Sequence, residues 1–327
     1  MPAIVTKGLT RKFGDLVAVD HIDLEIEEGE LFGLLGPNGA GKTTFIHMLS
    51  TILPPTEGTA EVAGFDIRAG ADSVRAAIGI VFQDPSLDNR LTGRENLDFH
   101  GRMYGLAKEQ RDERMSKVLE LVGLKDRADS LVETYSSGMK RRLEMARGLM
   151  HRPEILFLDE PTLGLDAQTR RSIWDYIRML NDVENVTVIL TTHYIEEADY
   201  LCDRVAIIDY GKIIALDKPE ALKDELKGDI VSLKVEEPEK YLEVLKGNEL
   251  VEDGKIVDGL LHLRVDNGEE AIPKLIEIVR GRGDQVYAAS LRRPTLEDVF
   301  IHYTGRAIRE EVPENMARLR ARFWGRR

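Results

Sequence analysis

The stretch Gly36-Pro37-Asn38-Gly39-Ala40-Gly41-Lys42-Thr43-Thr44 decides how this chain folds. It follows the apolar run Leu31 to Leu35, which predicts a buried strand, and it leads into Phe45-Ile46-His47-Met48-Leu49, which predicts a helix. A glycine-rich loop in that position lets backbone N–H groups surround phosphate oxygens, and the helix N-terminus adds positive potential. We therefore expect Lys42 to reach the β- and γ-phosphates of a nucleotide and Thr43 to ligate Mg²⁺. An ordinary glycine turn would leave both side chains unexplained.

The charge balance and the cysteine content narrow the class of protein. Asp and Glu number 58 against 45 Lys and Arg, a net charge of -13 that argues against DNA or RNA as a partner. The single cysteine, Cys202, excludes an intrachain disulfide and indicates a reducing compartment. Apolar runs such as Val186 to Leu190 are far shorter than the roughly 20 residues that span a bilayer. Any membrane role is therefore expected to come through a partner.

Two further apolar runs end in polar side chains. Ile78 to Phe82 is followed by Gln83, and Ile155 to Leu158 is followed by Asp159 and Glu160. A buried strand that ends in two adjacent carboxylates is costly unless the acids meet a cation or a reacting water. We therefore expect Asp159 to hold Mg²⁺ and Glu160 to polarise the attacking water. Taken alone, Gln83 is better explained as a hydrogen-bonding loop residue.

His193 follows a third apolar run, Val186 to Thr192. A lone histidine is more often structural than catalytic. Here it joins three other residues that each follow a separate apolar strand, namely Gly36, Gln83 and Asp159. Because the carboxyl ends of parallel strands meet at one edge of a sheet, we expect all four to lie close together.

The apolar spacing changes between about residues 86 and 151. Apolar side chains three and four residues apart predict a helical subdomain inserted into the α/β core. Within it, Ser136-Ser137-Gly138 lies where a helix begins, so hydroxyl and backbone donors face that end. Asp166 likewise lies where it can cap a later helix. Taken alone, both are helix caps.

The beginning of the chain predicts a β subdomain. Residues 3 to 11 and 16 to 26 alternate apolar and polar side chains, which indicates antiparallel strands with Phe13 in the turn between them. The Phe13 ring either stacks on a nucleotide base or packs on the sheet.

The chain beyond Lys227-Gly228-Asp229 predicts a small α+β domain of ferredoxin-like type. Its predicted strands are Ile230 to Val235, Ile256 to Val265 and Gln285 to Leu291, with helices near 239–246 and 269–282. The expected domains are 1–225, 226–305 and a basic tail at 306–327. The end of that tail carries five arginines and no acid, and it predicts either an amphipathic helix on anionic lipid or the membrane subunit, or a frayed end.

Taken together, these residues resemble the nucleotide-binding subunits of ATP-binding cassette (ABC) transporters. The Walker A loop, the Gln83 loop, a signature at 136–140, the Walker B strand, Asp166 and His193 occur in that family's order, over about residues 3 to 220. Glu95-Asn96-Leu97 and Pro294-Thr295-Leu296-Glu297-Asp298-Val299-Phe300 look like the drug-export branch typified by daunorubicin-resistance ATPases. The resemblance implies an α/β P-loop NTPase core with an antiparallel β subdomain and an inserted helical subdomain, binding ATP and Mg²⁺.

The resemblance also implies a site shared between two subunits paired head to tail around two ATP molecules. Lys42 and His193 would contact the γ-phosphate in one subunit, and Ser136 and Gly138 would reach it from the other. Phe13 would stack on adenine. Gln83 would sense the metal and the attacking water, and its loop would face a transmembrane permease subunit. The full set of nucleotide-binding residues would be Phe13, Gly36, Pro37, Asn38, Gly39, Ala40, Gly41, Lys42, Thr43, Thr44, Ser136, Gly138 and Asp166, with Thr43, Gln83 and Asp159 at the metal.

The signature departs from the family at one position. The family has two glycines after its serine, whereas Ser137 takes the place of the first glycine here. The added Cβ and hydroxyl lie close to where the partner's nucleotide would dock, so Ser137 bears on the hydrolysis rate.

The sequence favours the ATPase subunit of an exporter of drug-like or lipid-like substrates, acting as a homodimer at the cytoplasmic face of the membrane. One alternative is a cassette without a membrane partner that works on ribosomes or DNA. A single cassette, one cysteine and the lack of long heptads disfavour that alternative. A second alternative is a slow ATP-binding regulator. It is favoured only by Ser137, and the intact Lys42, Asp159, Glu160 and His193 speak against it.

Overall fold

The computed structural model describes residues 2–305 of the chain. The predicted basic tail at 306–327 lies outside these residues. The strands of the described part are β1 (Pro2–Phe13), β2 (Leu16–Glu27), β3 (Leu31–Leu35), β4 (Glu57–Val62), β5 (Phe65–Asp66), β6 (Ile78–Val81), β7 (Ile155–Asp159), β8 (Thr187–Thr192), β9 (Arg204–Asp209), β10 (Lys212–Asp217), β11 (Asp229–Lys234), β12 (Asp253–Val257), β13 (Leu260–Val265) and β14 (Ala288–Arg292).

The strands of the described residues form three sheets, and the helices lie between these strands or after the last of them in the sequence. They are α1 (Lys42–Leu49), α2 (Ala71–Ala77), α3 (Gly93–Met103), α4 (Lys108–Leu121), α5 (Ser137–Gly148), α6 (Ala167–Glu184), α7 (Ile195–Leu201), α8 (Pro219–Asp224), α9 (Pro238–Lys246), α10 (Gly268–Arg280) and α11 (Leu296–Thr304). Short 3₁₀ turns at Lys125–Arg127 and Val132–Thr134 lie between α4 and α5.

The central sheet has the strand order β10-β9-β3-β8-β7-β6. All its neighbouring strands are parallel except β10, which pairs antiparallel with β9. Every residue of β3, β7 and β8 is buried, as expected for apolar runs covered on both faces. The predicted α/β class is confirmed, and the carboxyl ends of β3, β6, β7 and β8 lie at one edge of the sheet.

A second sheet, in the order β2-β1-β4-β5, forms the antiparallel β subdomain. Side chains from its inner face, including Ile4, Leu9 and Ile26, share a core with Phe45 of α1 and Phe157 of β7. The predicted antiparallel pairing of the first two strands is confirmed. This core fixes the position of α1, and therefore of the loop before it.

The predicted helical insert is formed by α3, α4 and α5, which pack on one another. A buried guanidinium on α4 connects this insert to the core. Arg114 of α4 donates to the Leu149 carbonyl oxygen at 2.9 Å and to Glu184 Oε2 of α6 at 2.7 Å. These bonds satisfy a charge that would be costly to bury alone.

The described chain divides into two compact units between Lys218 and Pro219. The sequence placed the boundary at residue 225, and the difference is α8. That helix belongs with the second unit because α11 packs against it.

The second unit has the strand order β12-β13-β11-β14. With α9 and α10 this is the β-α-β-β-α-β arrangement of ferredoxin-like domains, built over a core that includes Tyr241, Leu263 and Leu275. The prediction of one strand over Ile256 to Val265 is wrong. Asp258 and Gly259 have φ of 50° and 77°, as a tight hairpin turn requires, so the run folds into β12 and β13.

Cys202 lies at the end of α7 and packs against the central sheet. It is 6% exposed, and a Cβ placed on Gly33 of β3 would come within 2.5 Å of its Sγ. Burial raises the pKa of the thiol. Glycine at position 33 is therefore what allows α7 to approach β3. Within residues 2–305, no helix combines the length and the apolar character needed to cross a membrane.

Candidate functional site

The loop between β3 and α1 wraps tightly against neighbouring backbone. Gly41 has φ of 106°, and a Cβ there would lie 2.3 Å from the Ala18 carbonyl oxygen. A Cβ on Gly36 would lie 2.2 Å from the Ile208 carbonyl oxygen. Only glycine fits at either position, so the chain can turn here and begin α1 at Lys42 with its N–H groups facing the loop.

The Lys42 side chain is 5% exposed and is held inside the loop. Its Nζ donates to the carbonyl oxygens of Gly36 at 2.7 Å and Pro37 at 3.2 Å. It also lies 3.1 Å from Oε1 of Glu160, which makes a buried ion pair. Lys42 therefore connects the phosphate loop to the end of β7.

Glu160 follows β7 in a left-handed backbone conformation, with φ of 48°. Its N–H donates to Thr191 Oγ1 at 2.9 Å, which joins the ends of β7 and β8. His193 Nδ1 lies 2.8 Å from Glu160 Oε2. Burial opposes ionisation of Glu160, but the hydrogen bond to His193 and the charge of Lys42 outweigh it and lower the pKa of this carboxyl group. Glu160 is therefore an ionised carboxylate at neutral pH.

The side-chain oxygens of Asp159 and Thr43 lie together beside the loop. Asp159 Oδ1 accepts hydrogen bonds from Thr43 Oγ1 at 3.1 Å and from Thr191 Oγ1 at 2.5 Å. Carboxylate and hydroxyl oxygens suit Mg²⁺, which is usually held by one or two carboxylates together with water and substrate phosphates. Among residues 2–305, no cluster of three or more His, Cys, Asp or Glu side chains is arranged to hold a metal ion.

Lys42, Thr43, Glu160 and His193 line a cavity of about 880 Å³ in the first unit. At its rim, the half-exposed Phe13 ring lies 4.7 Å from the Arg11 guanidinium. The lining residues are Phe13, Leu16, Ala18, Asn38, Gly39, Ala40, Gly41, Lys42, Thr43, Thr44, Gln83, Glu160, Leu163, Gly164, His193 and Tyr194. The structure thus brings together the loop candidates from Asn38 to Thr44 with Phe13, Gln83, Glu160 and His193.

Six candidate residues do not line this cavity. Gly36, Pro37 and Asp159 belong to the phosphate loop or lie beside it, and the other three lie at the starts of α5 and α6. Ser136 caps α5 and accepts from the Met139 N–H at 3.2 Å, and Asp166 caps α6. A Cβ on Gly138 would lie 2.6 Å from Thr169 Cγ2, so the start of α5 packs closely on the first turn of α6. None of the three lines the cavity of its own subunit.

Arg141 is a residue that the sequence analysis did not single out. It is buried on α5 and donates to three carbonyl oxygens around the Walker B end: Pro161 at 2.7 Å, Asp159 at 3.0 Å and Glu160 at 3.2 Å. It also donates to the Phe82 carbonyl oxygen, just before Gln83, at 2.6 Å. The only signal in the sequence is an arginine that directly follows the signature at 136–140. Leu163, Gly164 and Tyr194 were likewise not predicted to line the site.

Comparison with known families gives two matches that together cover most of the chain. A model described as ABC transporter matches residues 19–163. A model described as ATP-binding protein DrrA1-3-like, C-terminal domain, matches residues 218–304.

Similar curated proteins align along nearly the whole chain. The daunorubicin resistance ATP-binding protein DrrA3 of Streptomyces coeruleorubidus is 40% identical, over 93% of this chain and 96% of its own length. The linearmycin resistance ATP-binding protein LnrL of Bacillus subtilis (strain 168) is 38% identical, over 93% and 99%. The Nod factor export ATP-binding protein I of Cupriavidus metallidurans is 41% identical, over 95% and 100%.

Solved structures similar to this chain match about two thirds of it. One is cbiO1 from Clostridium perfringens, part of the ABC transporter complex cbiONQ, with a TM-score of 0.65 and 29% identity over 68% of this chain and 91% of that chain. Another is a dimeric post-hydrolysis state of the ATP-binding cassette MJ0796 bound to ADP and Pi. Its TM-score is 0.59, with 28% identity over 66% of this chain and 98% of that chain.

Proposed function

This chain belongs to the ABC transporter family, as an ATP-binding subunit of the drug-resistance and export type, and we propose that it drives a separate membrane permease. It is an ATPase, which converts ATP and water to ADP and phosphate. The proposed cargo is a drug-like or lipid-like molecule, and the proposed place of action is the cytoplasmic face of the membrane. The names of the relatives, which include daunorubicin and linearmycin resistance proteins and a Nod factor export protein, support this range of cargo.

One observation carries the proposed chemistry. Lys42, Glu160 and His193 form a continuous chain of contacts at 3.1 Å and 2.8 Å on the wall of the cavity. Phosphoryl transfer needs positioned charges and an oriented water more than covalent catalysis, and this wall supplies a cation, a base and a further hydrogen-bonding group.

We assign the following roles within the site. The loop N–H groups and Lys42 bind the β- and γ-phosphates, and Phe13 stacks on the adenine. Glu160 accepts a proton from the attacking water, while His193, bonded to Glu160 through Nδ1, offers Nε2 to the γ-phosphate. Gln83, which follows β6, helps to orient that water.

The proposed metal is Mg²⁺, held by Thr43 and Asp159 with Gln83 nearby. Bound there, it would neutralise charge on the β- and γ-phosphate oxygens. The 3.1 Å contact between Thr43 Oγ1 and Asp159 Oδ1 supports this assignment, because it brings two oxygen ligands of the preferred type together.

We propose a head-to-tail homodimer because Ser136, Gly138 and Asp166, which the family resemblance assigns to nucleotide binding, do not line the cavity of their own subunit. Ser136 and Asp166 are exposed, and Gly138 lies beside them at the start of α5. In a paired arrangement they would complete the cavity of the second subunit. The dimeric state of the similar cassette MJ0796 supports this arrangement.

The proposed docking site for the permease is a cleft of about 440 Å³ beside α3. Phe99 and Met103 project from α3 into solvent with 62% and 69% of their surface exposed. Arg147 lines the same cleft, and its buried Nε has no hydrogen-bond partner among residues 2–305. Apolar side chains around an incompletely bonded guanidinium suit a partner segment that carries apolar residues and one carboxylate.

The test begins with the neighbouring reading frame, which we expect to encode a six-span membrane protein, and continues with co-expression of the two proteins. We expect the two to co-purify in detergent, and we expect Phe99→Asp to abolish co-purification while basal phosphate release by the isolated chain stays at the parent rate. The matched control is Val183→Asp, which places the same acid at an exposed apolar position of α6 outside the cleft. A chain that ignores the membrane protein and co-sediments with ribosomes or binds DNA would favour the cassette without a membrane partner.

A further inference from the structure

Tyr194 lines the cavity next to the residues assigned to ATP hydrolysis. It follows His193 directly, and the centroids of the two rings lie 4.1 Å apart with an interplanar angle of 40°. The Tyr194 N–H donates to Thr192 Oγ1 at 2.9 Å, so the backbone turn that carries both rings is fixed at the end of β8.

The Tyr194 ring is also covered by a cation from another element. The Arg170 guanidinium carbon of α6 lies 4.0 Å from the ring centroid, well within the range of a cation–π contact. Arg170 Nε is buried, and within the described part of the chain it has no hydrogen-bond partner. The aromatic face is therefore an interaction that compensates the burial of this guanidinium.

His193 needs more than one contact to keep its orientation. The Nδ1 contact with Glu160 at 2.8 Å fixes one ring nitrogen but does not by itself fix the plane of the ring. The Tyr194 ring packs on one side of the imidazole and restricts the plane of the His193 ring. The Arg170 contact in turn restricts the Tyr194 ring. The order of contacts is Arg170, Tyr194, His193 and Glu160.

We propose that Arg170 and Tyr194 are positioning residues for ATP hydrolysis, which act by holding the His193 imidazole in the orientation that serves the γ-phosphate. The inference rests on the proposed role of His193. Neither side chain needs to touch the nucleotide for this purpose, so their loss slows turnover more than it weakens ATP binding.

The position of Arg170 adds a structural consequence. The preceding residue, Thr169, is the one that limits the space at Gly138, so the first turn of α6 contacts both the signature segment and the Tyr194 ring.

The test uses the full-length chain without the membrane subunit, with kcat and KM from phosphate release and the ATP Kd from equilibrium binding. We expect Tyr194→Leu to lower kcat about tenfold, which is the fold-change that corresponds to the free energy of one partly buried cation–π contact. KM and Kd should stay within about twofold of the parent values. Tyr194→Phe keeps the ring face and should retain most of kcat. Arg170→Met should lower kcat, and combining it with Tyr194→Leu should add little, because the guanidinium acts through the ring.

Two controls match these changes in position and chemistry. Arg171→Met alters the neighbouring exposed arginine of α6, and Tyr200→Leu alters an exposed tyrosine of α7. Both should keep the parent kcat. Thermal melting of every variant identifies those that fail to fold, and Arg170→Met, which changes a side chain in the first turn of a helix, carries the test if Tyr194→Leu does not fold.

The inference is overturned if Tyr194→Leu and Arg170→Met keep the parent kcat, if Tyr194→Phe is as slow as Tyr194→Leu, or if the two single losses add in full. His193→Ala in the same assay separates this failure from failure of the proposed site. A parent rate for His193→Ala would contradict the assigned role of His193. A slow His193→Ala together with parent rates for Tyr194→Leu and Arg170→Met would contradict only the positioning role. Failure of the proposed permease partner leaves all these rates unchanged.

Discussion

Lys42 Nζ lies 3.1 Å from Glu160 Oε1, so the cation assigned to the phosphates is paired with the base assigned to the water. The ion pair contributes to the low pKa of Glu160, which makes this carboxylate a weak base. When phosphate oxygens compete for Lys42, Glu160 loses part of this stabilisation and its pKa rises. We therefore expect nucleotide binding itself to strengthen the base.

Glu160→Gln tests the assignment of the base. The amide keeps the size of the side chain but cannot accept the proton, and loss of a general base typically slows a reaction by about 10²–10⁴-fold. ATP binding should survive, and because ATP is no longer consumed, gel filtration with MgATP should show a species of twice the monomer mass.

Lys42→Ala added to Glu160→Gln is the control, since it removes the phosphate contact and should abolish the shift in mass. Parent-rate hydrolysis by Glu160→Gln would show that Glu160 is not the base. A monomeric Glu160→Gln at saturating MgATP, with the proposed membrane permease also present, would contradict the shared-site model.

The pH dependence of stability offers a second measurement on the same group. The pKa of Glu160 is lower in the folded chain than the ordinary value of about 4.3, so its contribution to stability is fully present above that pH. It is lost as the pH falls through the folded-state pKa. The melting temperature of the parent should therefore exceed that of Glu160→Gln at neutral pH, and the difference should shrink below about pH 4.3. A difference in melting temperature that grows as the pH falls would show that the pKa of Glu160 is raised in the folded chain.

Gly138→Ala should disturb the start of α5. The new Cβ would lie 2.6 Å from Thr169 Cγ2, and overpacking of this kind costs about 1–3 kcal/mol. Thr169→Ser removes the methyl group while keeping the hydroxyl that donates to Asp166 Oδ2 at 2.6 Å. The double variant should recover most of the stability lost in urea unfolding, and no recovery would mean that the strain lies elsewhere.

Ser137→Gly restores the family's signature and should raise the ATPase rate with little change in ATP affinity, because the signature acts in the paired state. Ser137 is the exposed first residue of α5, so the substitution removes no buried contact. Steady-state kinetics at several protein concentrations provide the measurement. A rate equal to the parent would make the serine a neutral variant.

The second unit carries none of the candidate site residues, and we expect it to support the pairing of two subunits; its removal tests this expectation. A chain that ends at Lys218 keeps every residue of the cavity and should bind MgATP with the parent affinity. We expect weaker dimerisation in the Glu160→Gln background, measured by sedimentation. Loss of nucleotide binding in a folded truncation would instead place part of the site beyond the boundary.

Local patterns in the sequence were sufficient to predict the core of the fold. The loop at 36–44 and the apolar runs before Gln83, Asp159 and His193 each specify their own element, and the geometry of parallel strands then places their ends together. The Asp258-Gly259 turn was also visible in the sequence, and the prediction of a single strand ignored it.

Other features depend on contacts between distant residues and left no local pattern. Arg141 binds the carbonyl oxygens of Phe82 and Asp159, and any long cation would look the same in the sequence. The ion pair between Lys42 and Glu160 joins positions 118 residues apart through a fold that brings β3 beside β8 and β8 beside β7. The boundary before α8 depends on packing by α11, which follows it by more than seventy residues.

Because Cys202 packs against Gly33 of β3, the reactivity of its thiol reports when α7 separates from the central sheet. The thiol is the only one in the sequence, it is packed against β3, and burial keeps it protonated at neutral pH. A thiol reagent should therefore modify this chain only during excursions in which α7 separates from the sheet. α7 begins two residues after His193. The ratio of the labelling rates with and without MgATP would therefore measure how much nucleotide binding reduces the opening of α7, without any engineered probe.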